Sequence, residues 1–523
     1  MPASASNSWR LSVKEIDRSS TVIGEAGSIG AMVIRAPKGP KVPIKINKGE
    51  EKRITDIFGK PSSTYPDIWE AIEYCKQDAL WIAAPYDENS GSELGGVLVT
   101  DAGTEALADG VDPDLVSSYS FNSDNEYFAL LAKSPYTDDL AVKVTYNTDT
   151  TFFTIALYKT EDSGVTYSLV DSYTVSLVEN QKDGFGKNIY IEEIFEDNDY
   201  LQVVRNSTYD IGNGFVDDST YVAFAGGARE EPESSDLVAS WDYFKQIRKY
   251  AADIFMDPTA DPSVVTAFDS LRSSYQKYSF YIMAMPSGEN STTAIATKEG
   301  YGVNNAGLAF YWNQGKVRDT YNNSSFWTSL IGRVGVKLAQ MSDIYNGGAP
   351  AWQDENNHGG QLGSGIIEME YDPTETELEA LDTAGINPIV QYPSYGTMIV
   401  SQRTAQSPNN LSDSSWIAHR RLFDYIISNV MNQVLVYQIV KLNDELHRRL
   451  AVSKTSIIMD PILAENLLAE YIAQCDTNNN DANTLAQRKF ILTLGVKVTP
   501  FSETVQLEFV NVGQTVSVSE VIG

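Results

Sequence analysis

The chain has 523 residues, 42% hydrophobic and 21% charged, which is enough for two to four folded domains. Its 39 Lys and Arg face 70 Asp and Glu, and this net charge of −31 argues against non-specific nucleic-acid binding. Its two cysteines, Cys75 and Cys475, exclude a disulfide framework and favour a reducing compartment. No apolar run approaches the roughly 20 residues of a membrane span, and residues 1–16 lack the pattern of a secretory signal.

Residues 1–20 are predicted to form a strand-like arm. Their apolar side chains Trp9, Leu11 and Val13 alternate with polar ones. No neighbouring segment supplies an obvious partner strand. We therefore expect this arm to pair outside its local surroundings.

Residues 21–100 and 221–350 are predicted to build one α/β domain. Apolar runs such as "IGAMVIRAP" and "LWIAAPY" indicate strands, and helical periodicity occurs between them in "YPDIWEAIEYCKQDA". The same alternation resumes in "LVASWDYFKQIRKYAADIFMDP" and "SFYIMAMP". Its return after an interruption favours a single discontinuous layer structure.

Residues 101–220 are predicted to be an antiparallel β-domain inserted into that layer. The segments "LAVKVTYN", "FFTIALY" and "SYTVSLV" alternate apolar and polar residues, and turn-rich stretches such as "NTDT" separate them. Short alternating strands with polar spacers are typical of a compact β-domain. The fold class expected for the whole chain is therefore multidomain α/β.

Residues 351–510 are predicted to form a helical and β C-terminal domain, followed by a second strand arm at 511–523. The domain contains one long helix over 418–450 and a second helix in "DPILAENLLAEYIAQC", with Asp460 as its cap and Pro461 in its first turn. "FILTLGVKV" then alternates as a strand. In the terminal arm Val516 and Val518 keep the same alternation.

The sequence offers no catalytic, cofactor-binding or metal-binding candidate. "GEAGSIG" at 24–30 is glycine-rich but lacks the lysine of a phosphate-binding loop. "DTNNNDANT" at 476–484 imitates the start of a calcium loop, yet Asp481 and Gln487 occupy the positions that require glycine and glutamate. We expect a polar turn there, a solvated histidine at His358, and no enzymatic activity.

Segments spread over most of the chain share a resemblance to one known family. They are "DGFGKNIYIEEIFEDNDYLQVV" (183–204), "VAFAGGAREEP" (222–232), "HRRLFDYIISNV" (419–430), "DPILAENLLAEYIAQCDTNNND" (460–481) and "RKFILTLGVKVTPFSETVQLEF" (488–509). In these segments, and in the order of its parts, the chain resembles the tail sheath proteins of contractile-tailed bacteriophages. The C-terminal match is the most specific.

The resemblance implies a structural subunit without cofactors. Sheath subunits stack as hexameric rings around a rigid tail tube and convert to a shorter, wider state that drives the tube through the host envelope. The implied partners are other copies of the chain, joined through the terminal arms, the tail tube protein, and the baseplate and tail terminator proteins. Neither nucleic acid nor a membrane span is expected. The implied location is the virion, after assembly in the host bacterial cytoplasm, with residues 101–220 outside and residues 351–510 inside.

Two basic clusters flank the predicted long helix, His419-Arg420-Arg421 and His447-Arg448-Arg449. Cations near a helix C-terminus suit the helix dipole, whereas those at the N-terminus are mildly unfavourable and require another anionic partner. We therefore hypothesise that one cluster meets acidic groups on the tail tube and the other meets a neighbouring subunit. Pairing within the domain is the alternative.

Three other functions stay open from the sequence. A subunit of a non-viral contractile injection system would have the same fold, and only neighbouring genes would distinguish it. A β-rich surface adhesin fits the Tyr- and Thr-rich insert but lacks an export signal. An unrecognised enzyme is the third, and an activity screen of a chain shown to be monomeric would test it. Electron microscopy separates these classes, because only sheath subunits should assemble into hollow tubes.

Overall fold

The structure, a computed structural model, describes residues 28–500 apart from 88–90, 136–138, 148–150, 161–165, 197, 210–213, 217–219, 346–359, 394, 407–411 and 440. The chain divides into two compact units, residues 1–422 and 423–523. Both predicted arms, with Trp9, Leu11, Val13, Val516 and Val518, lie outside the described residues and stay predictions, as does His358. No described helix is long and apolar enough to cross a membrane.

Helices and strands alternate through most of the described chain. The helices are α1 (Glu51–Phe58), α2 (Asp67–Cys75), α3 (Ile191–Glu196), α4 (Ser234–Asp242), α5 (Pro262–Ser270), α6 (Ser291–Tyr301), α7 (Ile331–Tyr345), α8 (Glu375–Thr383), α9 (Ile417–Val430), α10 (Glu445–Ala464) and α11 (Ala482–Ala486). The strands of the first half are β1 (Gly30–Val33), β2 (Ile44–Ile46), β3 (Leu80–Ala83), β4 (Gly96–Thr100), β5 (Gly103–Ala106), β6 (Glu126–Ala132), β7 (Leu140–Asn147), β8 (Phe152–Lys159), β9 (Ser168–Val175), β10 (Leu201–Arg205) and β11 (Val222–Ala223). Those of the second half are β12 (Ile254–Asp257), β13 (Phe280–Ala284), β14 (Leu308–Trp312), β15 (Gly315–Asp319), β16 (Ser324–Thr328), β17 (Ile366–Met369), β18 (Ile386–Tyr392), β19 (Gly396–Ile399), β20 (Leu468–Gln474) and β21 (Thr493–Val498).

An eight-stranded sheet forms the centre of the first unit. Its order is β19-β18-β14-β13-β12-β1-β3-β2, with six parallel strands and an antiparallel strand at each edge. β1, β12, β13 and β14 are buried along their whole length. Within β1, Met32 packs into one hydrophobic cluster and Ala31 and Val33 pack into another. Burial of both faces explains why these strands are continuous apolar runs in the sequence.

The sheet extends beyond the predicted end of the α/β domain at residue 350. β18 pairs in parallel with β14, and Ile386 and Ile389 are fully buried. Ile417 and Ala418 also join one of the two cores of the sheet. The first unit therefore continues to Leu422, and the sequence-based boundary at 350/351 is placed too early.

The insert consists of two four-stranded antiparallel sheets, β10-β6-β4-β5 and β11-β7-β8-β9. The three strands predicted from their alternation are present as β7, β8 and β9, with Val144 opposite Ile155 and Ile155 opposite Tyr173. Phe153 lies at the centre of their core, 5.3 Å from the ring of Phe128. The insert begins at Gly96, five residues before the predicted start at 101.

The second unit differs from its predicted secondary structure in two places. Residues 418–450 are not one helix: α9 continues as a π-helical turn (Met431–Leu435) and a 3-10 turn (Val436–Gln438), and α10 starts only after Asp444, whose carboxylate accepts the N–H of His447 at 2.9 Å. The predicted helix over 460–475 is also wrong. Pro461 lies inside α10, which ends at Ala464, and Leu468–Gln474 form β20, in which Ile472 pairs with Gly495 of β21. Strand pairing here overrides the local helical pattern.

Candidate assembly surfaces

The first basic cluster, at the start of α9, is mostly buried within the first unit. Arg421 is 7% exposed, and its Nη2 atom donates to the carbonyl of Leu338 at 2.9 Å and to the hydroxyl of Ser342. His419 is 6% exposed, whereas Arg420 is half-buried. A buried cation bonded to its own chain cannot reach a partner. The prediction of a partner-facing cluster therefore fails for His419 and Arg421.

The second basic cluster is divided between the interior and the surface of the second unit. Arg448 is 8% exposed, and its Nη1 atom donates to the carbonyl and to the side-chain oxygen of Asn443, at 3.2 and 3.0 Å. Arg449 is exposed and forms an ion pair with Glu445 one turn earlier. His447 is half-buried. Within this cluster, Arg448 stabilises the fold of the second unit, while Arg449 and His447 remain candidates for a contact with the tail tube or a neighbouring subunit.

The exposed face of α10 carries three large apolar side chains, which the sequence pattern does not predict. Leu446, Leu450 and Ile457 follow i, i+4 and i+11 spacing and are 63%, 46% and 71% exposed. We call these three residues the apolar stripe. The buried side chains of the helix lie about half a turn away, and they are Arg448, Ala451, Thr455, Met459 and Ile462. A helix with apolar residues on both faces leaves one of them without a partner inside the described chain.

The second unit contains a small sheet, formed in the described residues by β20 and β21 alone. Ile472 on β20 is 68% exposed, and most residues of both strands are at least partly exposed to solvent. Two-stranded sheets are marginally stable in isolation, and strand edges readily accept a further strand. This sheet is therefore a candidate acceptor for an extended segment.

The stretch that imitates a calcium loop is a polar turn, as predicted. The carboxylate of Asp476 accepts the N–H of Asn478 at 2.7 Å. The buried Asn480 donates from its side chain to the carbonyl of Ile491 at 2.8 Å and so ties the turn to the strand that follows. Across the described residues no group of three or more His, Cys, Asp or Glu is arranged to hold a metal ion.

Arg229 ties the insert junction to the central layer. Its buried guanidinium donates to the carbonyls of Gly39, Ala84 and Pro85 at 3.0–3.1 Å. It also lies 5.2 Å from the ring centre of Tyr86. Burial lowers the pKa of Arg229 to about 10, still well above neutral pH. This residue stays charged and fixes the path on which the chain returns from the insert.

Charged side chains also join the insert to α1 and to the loop after β1. Asp139 of the insert contacts the ammonium groups of Lys38 and Lys159, and Lys159 donates to the carbonyl of Asp56 at 2.6 Å. Tyr200 packs against the core of the layer and against the core of the insert. These contacts indicate that the insert is held in a fixed orientation.

We expect excision of residues 97–224 to leave a folded α/β unit with a loss of a few kcal/mol of stability. The chain enters and leaves the insert side by side, because the Gly96 N–H donates to the carbonyl of Ala225 at 2.9 Å. A short glycine-serine linker therefore spans the gap. Thermal unfolding of the excised chain measures the loss.

The matched control is the same excision combined with Arg229→Ala. This variant leaves the buried carbonyls of Gly39, Ala84 and Pro85 without a donor and should not fold. Loss of the folded state in the simple excision would show instead that the insert is part of the same folding unit.

These features define a multidomain α/β protein, with a discontinuous α/β unit that contains a β-insert and a second unit of helices and β-strands. No protein-family model matches the sequence. Among solved structures, the sheath tail protein Lin1278 from Listeria innocua has a similar fold, at 12% identity and a TM-score of 0.53, over 92% of this chain and 97% of that chain.

In sequence, the chain is similar to two phage tail sheath proteins. The chain is 21% identical over 380 residues to the tail sheath protein of Vibrio phage KVP40, covering 68% of this chain and 55% of the relative. It is 21% identical over 386 residues to that of Enterobacteria phage T4, covering 68% and 56%. The chain thus spans about half the length of the curated relatives it matches. The resemblance to tail sheath proteins inferred from the sequence is confirmed.

Proposed function

We propose that this chain is a structural subunit of a contractile tail sheath and not an enzyme. The observation that carries the proposal is the match to tail sheath proteins of two phages over 68% of the chain. The similar fold of a sheath tail protein over 92% of the chain supports it. In this role the subunits form stacked hexameric rings around a tail tube, within the tail of a virion assembled in the host bacterial cytoplasm.

Contraction in this proposal is a change between two lattices of the same subunits. The work comes from contacts between subunits that are better in the short, wide lattice, so no nucleotide or catalytic residue is required. Movement of the sheath drives the tube through the host envelope. The further partners are the tail tube protein and the baseplate and terminator proteins, and Arg420, His447 and Arg449 stay proposed contact residues towards the tube or a neighbour.

The terminal arms, in this proposal, connect neighbouring subunits through strand pairing. The alternating residues of 1–20 and 511–523 supply the strands, and the sheet of β20 and β21 supplies the edges to which they add. A sheet completed by other copies would keep the lattice connected while the globular parts rotate. The small size of that sheet and its exposed Ile472 favour this arrangement.

Electron microscopy of the purified full chain tests the function. We expect hollow tubes, because sheath contacts are made between copies of one chain. Deletion of residues 1–20 should leave a folded monomer that forms no tubes, since the strand that connects subunits is lost. A full chain that stays monomeric at every concentration and salt would contradict the proposal. Loss of cooperative unfolding on deletion would show that the arm belongs to a core.

A further inference from the structure

The apolar stripe of α10 is flanked by cations in a nearly neutral part of the chain. Residues 423–500 contain seven Lys and Arg against eight Asp and Glu, a net charge of −1, whereas the whole chain carries −31. Arg449 and Lys454 lie on either side of the stripe, and both are exposed. Lys454 lies 5.1 Å from the ring centre of Tyr437, which is itself 55% exposed. The surface therefore combines three apolar side chains with two flanking cations, and the exposed Ser453 and Asp460 share this face of the helix.

The first unit contains a surface of the opposite character at β17 and α8. Residues 366–383 contain seven Asp and Glu and no Lys or Arg, and we call this range the acidic segment. Four of its carboxylates have partners within the chain, because Glu377 caps α8, Asp382 pairs with Arg403, Glu368 pairs with Lys316 and Glu370 accepts the N–H of Gly288. Glu375 and Glu379 are exposed one turn apart on α8. Ile367, on β17 of the same segment, is 55% exposed.

We propose that the apolar stripe of one subunit docks on the acidic segment of a second copy of this chain. The inference rests on the proposed function and names one of the contacts that build the assembly. The leucines and isoleucine of the stripe are removed from water at the contact. The flanking cations meet the exposed carboxylates of α8, so the pairing is favourable in charge as well as in burial.

The distribution of charge favours a second copy of this chain as the partner. It also favours contact between the second unit of one copy and the first unit of another. Contacts between two acidic first units are repulsive in a chain of net charge −31. The second unit, residues 423–523, carries 7 Lys and Arg against 11 Asp and Glu, a net charge of −4, and therefore meets an acidic first unit with much less repulsion. Two different surfaces of one chain then form a head-to-tail contact, and such contacts build rings or helices and do not stop at a dimer. That geometry is the one a tubular assembly requires.

Charge reversal on each surface tests the contact in the full chain. Arg449→Glu with Lys454→Glu should raise the critical concentration for tube formation at least about tenfold, and Glu375→Lys with Glu379→Lys should do the same. One chain that carries all four substitutions should regain most of the wild-type assembly, because the charges are again opposite. Ile457→Ser alone should also weaken assembly, without loss of thermal stability, since Ile457 is 71% exposed.

Two matched controls carry the same change of charge elsewhere on each unit. Arg488→Glu with Lys489→Glu alters exposed residues of the second unit. Glu105→Lys with Asp124→Lys alters exposed residues of the insert. Both controls should assemble within about twofold of the wild type, because surface charges away from a contact contribute little.

The outcomes separate this inference from the proposed function. Wild-type tubes together with unimpaired assembly of the Arg449 and Lys454 variant would overturn the inference and leave the sheath function standing. A second outcome is that the stripe variants assemble poorly and the chain with all four substitutions does not recover. The stripe would then contact another partner, such as the tail tube, and the inference would again be overturned. A wild-type chain that never assembles would overturn both.

Discussion

Replacement of Glu70 by alanine is expected to destabilise the first unit by about 3–5 kcal/mol. The buried carboxylate of Glu70, on α2, accepts the N–H groups of Leu330 and Gly332 at 2.7 Å each, and the hydroxyl of Thr328. These donors lie at the start of α7, where backbone N–H groups have no partner within the helix. Alanine would leave them buried without an acceptor. The midpoint of urea unfolding of the unassembled chain measures the loss.

Two variants on the same helix serve as controls for Glu70→Ala. Glu70→Gln keeps an acceptor oxygen but places an amide donor against one of the N–H groups, so about half of the loss should remain. Glu73→Ala removes two ion pairs, with Arg333 at 3.1 Å and with Lys76, but leaves no buried backbone N–H without its acceptor, so it should cost much less. Equal unfolding midpoints for Glu70→Ala and Glu73→Ala would show that Glu70 does not hold α7.

The alternation of the α/β layer could be predicted from the sequence, because it depends on local patterns. Apolar runs such as β13 and β14 have a characteristic length and composition, and the helices between them have helical periodicity. The pairing of β18 with β14 could not be predicted in this way. It joins residues about 80 positions apart, and the sequence around Ile386 and Ile389 does not indicate which strand they pair with. The domain boundary was misplaced for this reason.

The role of Glu70 was also hidden in the sequence. A glutamate within an amphipathic helix usually faces solvent, and only the approach of α7 buries this one. That approach depends on Gly332, since a Cβ atom there would lie 2.1 Å from the carbonyl oxygen of Glu70. Gly335 has a similar role against Met256. The glycine spacing in "IGRVGVKL" is the signal that could have indicated close helix packing.

The two basic clusters predicted as contact residues are only partly exposed in the structure. Basic residues were taken as the surface and apolar residues as the core. In the structure Arg421 and Arg448 are buried by hydrogen bonds to their own chain, and Leu446 and Ile457 are exposed. A charge cluster on a helix does not show whether its side chains bond within the chain, contact a partner or stay in solvent. α10 starts after Asp444, whose carboxylate caps the helix, and this start determines which residues of α10 face outward. The apolar periodicity of residues 418–450 does not reveal this capping bond.

Asp257→Asn is expected to stabilise the first unit at pH 8 and to have little effect near pH 4. Burial raises the pKa of Asp257 from 3.8 to about 7, and neighbouring Asp67 adds to the rise against the bonds from Thr259. Its Oδ2 atom has no hydrogen-bond partner in the described chain. Between pH 4 and 7 the native state therefore holds a proton that the unfolded chain has lost, so the free energy of unfolding falls as pH rises.

The full loss from Asp257 is reached above pH 7 and amounts to roughly 4 kcal/mol, at about 1.4 kcal/mol for each unit of pKa. Asparagine removes this titration and keeps the acceptor for the hydroxyl of Thr259, at 2.8 Å. Urea midpoints of the wild type and the variant should therefore diverge as pH rises from 4 to 8. The variant should keep part of the wild-type pH dependence, since burial also raises the pKa of Asp67 to about 6.

Asp319→Asn gives a control of opposite sign from the same chemical change. Burial alone would raise the pKa of Asp319, but bonds from Asn322 and Tyr321, with N–H distances of 3.0 and 2.8 Å, lower it. Its carboxylate therefore contributes stability that is present above the unfolded pKa and is lost as pH falls through the folded one. Asp319→Asn should destabilise at pH 8 and less so at low pH. Shifts of the same sign for both variants at pH 8 would contradict the assignment of Asp257 as a buried carboxyl that resists ionisation.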